Sequence, residues 1–315
     1  MDVSPLFGPV AADLDDLEGR FRESFTGDDP AAAAPMSELF AAGGKRLRPA
    51  LVLLSGLLGT YRQEKLLPAA IAVELIHAAT LVHDDVIDRS ATRRGRPTVV
   101  ASAGSEAAIV IGDHYFAKAY REASRTGDPE VVAILAEAVM LICAGELEQH
   151  ASRCHWRPEI DTYLRRIERK TAVLLAAACR IGARLGGLNQ AGQEALARCG
   201  TALGLAFQIA DDVLDYTGSE EELGKPVGHD LEEGMTTLPL MLTPGAADLL
   251  EDGRCPDPEV ASRVITQVRE GIGPQLALER AAAYANQARA ELAGFEGPAA
   301  EALAGLATYV VTRRL

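Results

Sequence analysis

The chain has 315 residues, a mass of 33.4 kDa and a formal net charge of −14. Hydrophobic residues make up 48% of it, which excludes a chain that is mainly disordered. The pI near 4.9 argues against a general nucleic-acid binder, which needs a basic face, and against electrostatic docking on an anionic membrane. The length fits one large domain or two of ordinary size.

The cysteine pattern and the first residues bear on the cellular compartment. The cysteines are odd in number, scattered and without a CxxC pair: Cys143, Cys154, Cys179, Cys199 and Cys255. This pattern predicts reduced thiols rather than a disulfide framework. The N-terminal residues lack the basic start and apolar run of a secretion signal, so we expect a cytoplasmic protein. The longest uncharged stretch, residues 49–61, is shorter than the roughly 18 residues that a bilayer requires, so we expect a buried helix and no transmembrane segment.

Long apolar patterns predict an all-α protein. Apolar residues recur every three or four positions over four windows, residues 66–88, 129–152, 158–185 and 189–216. Each window is far longer than an ordinary strand, and breakers rich in Gly or Pro separate the windows.

The chain shows no composition break and no low-complexity linker. We therefore expect a loose N-terminus over residues 1–9 and a single all-α domain over residues 10–315. Asn189 is a predicted N-cap for the helix that follows it.

An acidic pattern occurs twice, and each copy ends a long apolar helix. Residues 81–88 read LVHDDVID and residues 208–215 read QIADDVLD. On a helix the first and last aspartates of each copy share a face, where their like charges repel. Carboxylates without His or Cys suit a hard cation such as Mg²⁺, which also binds phosphate oxygens. Either copy alone fits a solvated acidic helix end, but two matching copies favour a metal site.

Polar residues extend these faces, and small basic clusters lie near them. His77, Thr80, Asp84 and Asp88 share one helix face, and Thr201, Gly204, Gln208, Asp211 and Asp215 share another. The basic clusters contain Gly, which lets backbone approach an anion, and are residues 43–49, 93–95 and 224–226. Arg and Lys are the usual phosphate ligands, although each cluster taken singly also fits ordinary surface charge.

The order of these motifs resembles that of the trans-polyprenyl diphosphate synthases. The chain reads GGKRLRP, then HDDVID followed by RRGRPT, then Lys170-Thr171, FQIADDVLD, GKPVGHDLEEG and TLP. The resemblance runs from about residue 37 to the C-terminus. It implies an all-α bundle around a deep central cavity, usually as a homodimer, of the isoprenoid synthase type.

The resemblance also implies a role for each matching residue. Three Mg²⁺ ions are expected, held directly by Asp84, Asp85, Asp88 and Asp211, with Asp212 and Asp215 completing the second acidic site, partly through water. Contacts to an allylic diphosphate, or to the site around it, are expected from Arg93, Lys170, Thr171, Gln208 and Lys225. Binding of isopentenyl diphosphate is expected from Lys45, Arg48, His77 and Arg94. The aspartates, Lys170 and Lys225 would form the catalytic set.

The implied reaction is chain elongation. Ionisation of an allylic C10–C20 diphosphate gives a cation that the double bond of isopentenyl diphosphate attacks, which releases diphosphate. Short-chain members often place a bulky aromatic residue four or five positions before the first aspartate, where this chain has Thr80 and Ala79. We therefore expect a product of C30 or longer. Leu135, Val139 and Met140 are candidates for the cavity floor.

Several alternatives stay open from the sequence. A C15 or C20 synthase keeps the enzyme class, and a partner-dependent subunit of a heteromeric synthase would share the fold. A terpene cyclase would typically lack the second aspartate motif. Met235 stands where many relatives have Lys, so one diphosphate contact is in doubt. A zinc site at His150, Cys154 and His155 is not expected, because no fourth ligand is evident and a partly exposed helix end explains these residues better. A transient membrane contact for product release is compatible with the sequence.

Overall fold

The computed structural model describes residues 4–41, 43–93, 95–219 and 227–312. Two of the predicted site residues, Arg94 and Lys225, lie outside these ranges. The described chain is mostly helical and has only two strands of two residues each, which confirms the all-α class. Its helices are α1 (Ala11–Thr26), α2 (Pro30–Ala41), α3 (Leu47–Leu57), α4 (Gln63–Ile87), α5 (Val99–Ala103), α6 (Ser105–Ser124), α7 (Pro129–Ala151), α8 (Ile160–Ile167), α9 (Val173–Leu185), α10 (Gln190–Thr217), α11 (His229–Glu232), α12 (Leu238–Met241), α13 (Pro258–Glu270), α14 (Gly273–Glu291) and α15 (Pro298–Thr312).

Short elements fill the connections between these helices. Single 3-10 helices cover Ser4–Val10 and Ala247–Leu249, and a π-helical turn, Glu168–Ala172, joins α8 to α9. Strand β1 (Thr92–Arg93) pairs antiparallel with β2 (Arg96–Pro97) just after the first acidic motif. The sequence did not predict this hairpin, because two-residue strands are too short to show alternation.

Helices α4 and α10 carry the two acidic motifs, and both are largely buried. By length and composition, α4 is apolar enough to cross a membrane, and 78% of its most apolar window is buried inside the protein, which is typical of a core helix. The predicted helix over residues 49–61 is the buried α3, and Asn189 caps α10 by accepting a hydrogen bond from the Gly192 amide at 2.9 Å. The long helical windows are confirmed.

Two expectations need correction. The loose end expected at residues 1–9 is a 3-10 helix from Ser4 onward, and its Phe7 and Val10 are buried in the main core. The cysteines are not all free thiols, because Cys154 and Cys255 form a disulfide with a Cα–Cα distance of 5.3 Å. These two cysteines are 101 residues apart, so only the fold reveals their proximity.

Candidate active site

Two cavities meet between α4 and α10. The first, called the basic cavity, has a volume of about 520 Å³ and is lined by residues that include Lys45, Arg48, His77, Phe207 and Asp211. The second, called the acidic cavity, has a volume of about 480 Å³ and is lined by residues that include Asp84, Asp88, Lys170, Gln208 and Asp212. Leu81 lines both cavities. It lies between His77 and Asp84 on α4, so an apolar side chain separates two polar sites.

The basic cavity gathers three of the residues predicted to bind isopentenyl diphosphate. Lys45 comes from the turn before α3, Arg48 from the first turn of α3, and His77 from α4. The Lys45 ammonium lies 5.3 Å from the centre of the Tyr309 ring. Cationic groups in the lining of a partly apolar cavity fit an anionic ligand with a short hydrocarbon tail.

Arg46 fixes the turn that presents Lys45 and Arg48. Its backbone has a φ of 46°, and its side chain is largely buried. The guanidinium forms an ion pair with Glu18 of α1 and donates to Glu74 of α4, with Nη1 to Oε1 at 3.1 Å. Burial raises the pKa of the Glu74 carboxyl, and the charges of Arg46 and Arg48 act in the opposite direction. The sequence did not reveal this anchoring role.

The acidic cavity gathers most of the residues predicted to contact metal or allylic diphosphate. Its lining includes aspartates from both motifs together with the following predicted contacts: Arg93, Lys170, Thr171 and Gln208. Asp230 and Glu233, which sequence reasoning did not single out, line it too. The cavity therefore combines carboxylates and cations, as a site for a metal-bound phosphate would.

The π-helical turn positions Lys170 and Thr171. A π turn interrupts the regular spacing of a helix and is frequent at functional sites. Two glycines let neighbouring helices approach this turn. A Cβ on Gly204 of α10 would lie 2.4 Å from the Ala172 Cα, and one on Gly145 of α7 would lie 3.2 Å from the Lys170 amide nitrogen. The close approach explains why Gly204 interrupts the polar face of α10.

Asp85 and Asp215 are buried beside the acidic cavity. Arg93 grips the Asp85 carboxylate with two nitrogens, Nη2 to Oδ1 at 2.8 Å and Nε to Oδ2 at 3.2 Å. Asp215 accepts a hydrogen bond from the Asp230 amide at 3.1 Å, which ties the end of α10 to the start of α11. Asp211 lines the basic cavity rather than the acidic one. The direct metal roles expected for Asp85 and Asp211 remain predictions.

Burial and like charges control the ionisation of the first motif. Burial raises the pKa of Asp84 to about 7, with Lys170 opposing this shift and Glu146 and Asp88 adding to it. The pKa of Asp88 is raised by burial and by the charge of Glu233. Burial alone would lower the pKa of Lys170, but the charges of Asp84 and Glu146 outweigh it and raise that pKa. Carboxylates with raised pKa values in a cleft gain most from a bound cation.

Hydrogen bonds hold the second motif in place. The Tyr163 hydroxyl donates to Asp212 Oδ2 at 2.7 Å, and Gln208 Nε2 donates to Asp212 Oδ1 at 2.8 Å. Thr171 Oγ1 in turn donates to Gln208 Oε1 at 2.8 Å. Burial and the charge of Asp230 raise the pKa of Asp212. Thr171 and Gln208 therefore act together to orient the Asp212 carboxylate.

The donor set fits a hard divalent cation. The acidic cavity offers mainly carboxylate oxygens, together with His229, and among the residues that the structure describes no Cys lines it. Within the described ranges, no three His, Cys, Asp or Glu side chains already converge closely enough to hold an ion. Mg²⁺ commonly binds one or two carboxylates and completes its shell with water and phosphate oxygens, which agrees with this arrangement.

Several functional neighbours were missed from the sequence. Glu146 pairs with Lys170, Nζ to Oε1 at 2.5 Å, and Arg153 pairs with Asp88, Nη2 to Oδ1 at 2.9 Å. Arg166 lines the acidic cavity as well. No motif spacing links these residues to the aspartates, because α7, α8 and the segment between them meet the aspartates only through the fold.

One weaker expectation is wrong. Met140 does not form a cavity floor, since 70% of its surface is exposed on the outer side of α7. The zinc site that the sequence disfavours is not formed, since the Cys154 sulfur is bonded to Cys255. Leu135 is fully buried and Val139 is partly buried, so their place in a cavity floor remains a prediction.

The chain is similar to a defined set of known proteins. A family model described as polyprenyl synthetase matches residues 29–248. Heptaprenyl diphosphate synthase component 2 of Bacillus subtilis (strain 168) is 36% identical, over 96% of this chain and 88% of that protein. Nonaprenyl diphosphate synthase of Mycobacterium tuberculosis is 37% identical, over 90% of this chain and 88% of that protein. A crystal structure of polyprenyl synthase from Caulobacter crescentus CB15, complexed with calcium and isoprenyl diphosphate, is 37% identical with a TM-score of 0.93, over 100% of this chain and 98% of that one.

Proposed function

Because the chain belongs to the polyprenyl synthetase family and is a prenyltransferase, we propose that it is a Mg²⁺-dependent trans-polyprenyl diphosphate synthase. It condenses isopentenyl diphosphate head-to-tail with an allylic C10–C20 diphosphate and releases diphosphate. The observation that carries this proposal is the division of the site into a basic and an acidic cavity that meet at Leu81. A condensation needs two anionic substrates side by side, and these cavities provide a place for each.

The basic cavity is the site for isopentenyl diphosphate. Lys45, Arg48 and His77 would bind its diphosphate, while Phe207 and Leu81 would face its hydrocarbon part. This diphosphate is not the leaving group, so its ligands need to bind it without weakening its bond to carbon. Lys and Arg side chains, without a metal ion, can bind a diphosphate in this way. Arg94, which lies outside the described residues, completes this set in our proposal.

The acidic cavity is the site for the allylic diphosphate. Asp84, Asp88 and Asp212 line the cavity, and we propose that they hold Mg²⁺ together with Asp85, Asp211 and Asp215. Bound Mg²⁺ would neutralise the charge that develops on the leaving diphosphate. The Caulobacter crescentus polyprenyl synthase is complexed with calcium and isoprenyl diphosphate, which supports the use of a divalent cation in our proposal.

The chain's own residues complete the reaction site. Lys170 carries its charge inside the acidic cavity and would stabilise the departing diphosphate, as would Lys225 in the undescribed segment. Thr171 and Gln208 hold Asp212 in its orientation. Leu81 lies where the allylic carbon would face the isopentenyl double bond, so it would exclude water from the cation. The released diphosphate is the nearest base for the proton lost after bond formation.

We infer a product of C30 or longer. Thr80 and Ala79 leave no aromatic side chain in the turn before Asp84, and the similar heptaprenyl and nonaprenyl synthases are named for long products. A C15 or C20 synthase is the second candidate. Ala79 is fully buried in the core, and that observation favours the shorter product because the position is already packed.

We also propose a homodimer. Large apolar side chains are exposed on the outer faces of α6 and α7, with Val110 66%, Met140 70% and Leu147 73% exposed. An exposed apolar face of this kind usually marks an interface. The Bacillus subtilis relative is named component 2, which favours a partner-dependent subunit as the alternative. That alternative predicts turnover only after a second protein is added.

Release of diphosphate tests the proposal. The purified chain is mixed with Mg²⁺, isopentenyl diphosphate and farnesyl diphosphate, and released diphosphate is measured with each substrate omitted in turn. We expect release that requires both substrates. Release with farnesyl diphosphate alone would indicate ionisation without condensation, as in a cyclase. An absence of release under all conditions would contradict the proposal for the isolated chain.

A further inference from the structure

Arg166 is a buried cation in the wall of the acidic cavity. It lies in the last turn of α8, four residues before Lys170, and lines the same cavity as Lys170. Only 7% of its surface is exposed. A guanidinium is costly to bury unless an anion or several acceptors meet it, so its partners decide its role.

The contacts of Arg166 fix its guanidinium without neutralising it. Nη2 donates to the Thr236 carbonyl oxygen at 2.5 Å, and the guanidinium carbon lies 5.5 Å from the centre of the Tyr163 ring. Among the described residues this is its one hydrogen bond. No Asp or Glu of the described ranges lies within ion-pair distance, 4.0 Å, of its nitrogens. The remaining donors of the fork are therefore available to a ligand.

The other two Arg and Lys side chains of the cavity are already paired. Arg93 binds Asp85, and Lys170 binds Glu146. An anionic ligand that binds Arg93 or Lys170 has to compete with the carboxylate already paired with that cation. Arg166 makes no such ion pair with a described carboxylate, although its charge also acts on Asp212 across the cavity, so an anion in the cavity meets less competition at Arg166 than at Arg93 or Lys170.

We propose that Arg166 binds the diphosphate of the allylic substrate and of the product complex. The inference rests on the proposed function, since that function puts a diphosphate in the acidic cavity. A planar fork held at one end by Thr236 and packed on Tyr163 is preorganised for two oxygens of a phosphate. Binding of the anion would then offset the free-energy cost of burying the Arg166 guanidinium.

Met235 offers an internal test of this role. It lines the acidic cavity and is the neighbour of Thr236, whose carbonyl holds Arg166. Only 9% of its surface is exposed. Met235→Lys would place a cation in the same cavity, one residue away from Thr236. If Arg166 acts by its charge, Met235→Lys should compensate for its loss.

The experiment is calorimetric titration of the full chain with inorganic diphosphate at saturating Mg²⁺. We expect Arg166→Gln to weaken binding by about 10- to 100-fold, because a charged hydrogen-bond donor is lost. Arg166→Lys keeps the charge but loses the planar fork, so its affinity should fall between those of the wild type and Arg166→Gln. Arg165→Gln is the matched control, since Arg165 is exposed, pairs with Glu148 outside the cavity and should leave the affinity unchanged.

The double variant Arg166→Gln/Met235→Lys should recover most of the lost affinity. Unchanged binding by Arg166→Gln would overturn the proposal. Weakened binding with a lowered melting temperature and no recovery in the double variant would overturn it too, since Arg166 would then only support Thr236. If wild-type diphosphate binding depends on Arg166 but no product forms from any primer, the Arg166 site stands and the elongation function fails.

Discussion

The Lys170 ammonium lies 2.5 Å from the Glu146 carboxylate, which connects the π-helical turn to α7 beside the first acidic motif. Glu146 thereby adds a negative charge close to Asp84 and Asp88 and contributes to their raised pKa values. Its charge, with that of Asp84, raises the pKa of the buried Lys170, whereas burial is the main cause of the raised pKa of Asp84. A site with these properties should respond to both metal and pH.

Binding of Mg²⁺ should depend on pH around neutrality. The pKa of Asp84 is raised to about 7, so its carboxyl is largely protonated below that pH and has to lose a proton to bind metal. We expect the apparent Mg²⁺ affinity to fall by up to about tenfold per pH unit below 7 and to level off above it. Calorimetric titration from pH 5.5 to 8.5 measures this.

Glu146→Gln tests whether the pKa of Asp84 sets the pH dependence of Mg²⁺ affinity. Removing its charge should lower the pKa of Asp84, so the pH at which affinity levels off should move down. Asp84→Asn should remove the same step from the profile. A pH-independent affinity in the wild type, or an upward move in Glu146→Gln, would show that Asp84 does not control metal binding.

Substitutions in the basic cavity should affect one substrate only. Arg48→Gln removes a cation from the cavity proposed for isopentenyl diphosphate. We expect the KM for isopentenyl diphosphate to rise by about 10- to 100-fold, because a charged contact is lost, with little change in the KM for the allylic substrate. Arg62→Gln, at an exposed arginine before α4, is the control. Equal increases in both KM values would argue against separate cavities.

Chain length should respond to bulk at Thr80. Thr80 is partly exposed, and its hydroxyl donates to the His77 carbonyl at 2.8 Å, so it is the less tightly packed of the two small residues. We expect Thr80→Phe to shorten the product by at least one C5 unit. Ala79→Phe should instead lower stability by about 1–3 kcal/mol, since it overpacks a fully buried position. Product masses and urea unfolding separate these effects, and unchanged products in Thr80→Phe would contradict the first.

An ion pair should hold the N-terminal helices on the bundle. Lys118 of α6 pairs with Asp28 and donates to the Ser24 carbonyl at 2.8 Å, with only 4% of its surface exposed. Asp28 is only partly buried and also accepts a hydrogen bond from the Tyr115 hydroxyl at 3.2 Å, so Lys118→Met should cost about 1–3 kcal/mol of unfolding free energy. Arg121→Met, on the exposed side of the same helix, should cost little. Equal stabilities in urea unfolding would show that the pair is not structural.

Much of the fold and of the site could be predicted from the sequence. The period of apolar residues predicted the helices, since α4, α7 and α10 each bury long stretches that leave a clear pattern. The aspartates were found because they repeat, and the structure places Asp84 and Asp88 with Asp212 in one cavity. Repetition and helical spacing are local signals, and a single sequence preserves them.

What the sequence could not predict depends on contacts between distant segments. Glu146 and Arg166 belong to no motif, and only the packing of α7 and α8 against the aspartates gives them a role. The Cys154–Cys255 bond was missed for the same reason. Met140 was misplaced because an apolar residue on a helix does not reveal whether it faces a cavity or an exposed surface.

The most direct test of the central claim is the mass spectrum of the products. The purified chain is incubated with Mg²⁺, isopentenyl diphosphate and, separately, C10, C15 and C20 allylic diphosphates. The proposed function predicts a ladder of products that differ by C5 and end at C30 or beyond from every primer. A ladder that stops at C15 or C20 would contradict the long-chain assignment, and the absence of any product longer than its primer would contradict chain elongation itself.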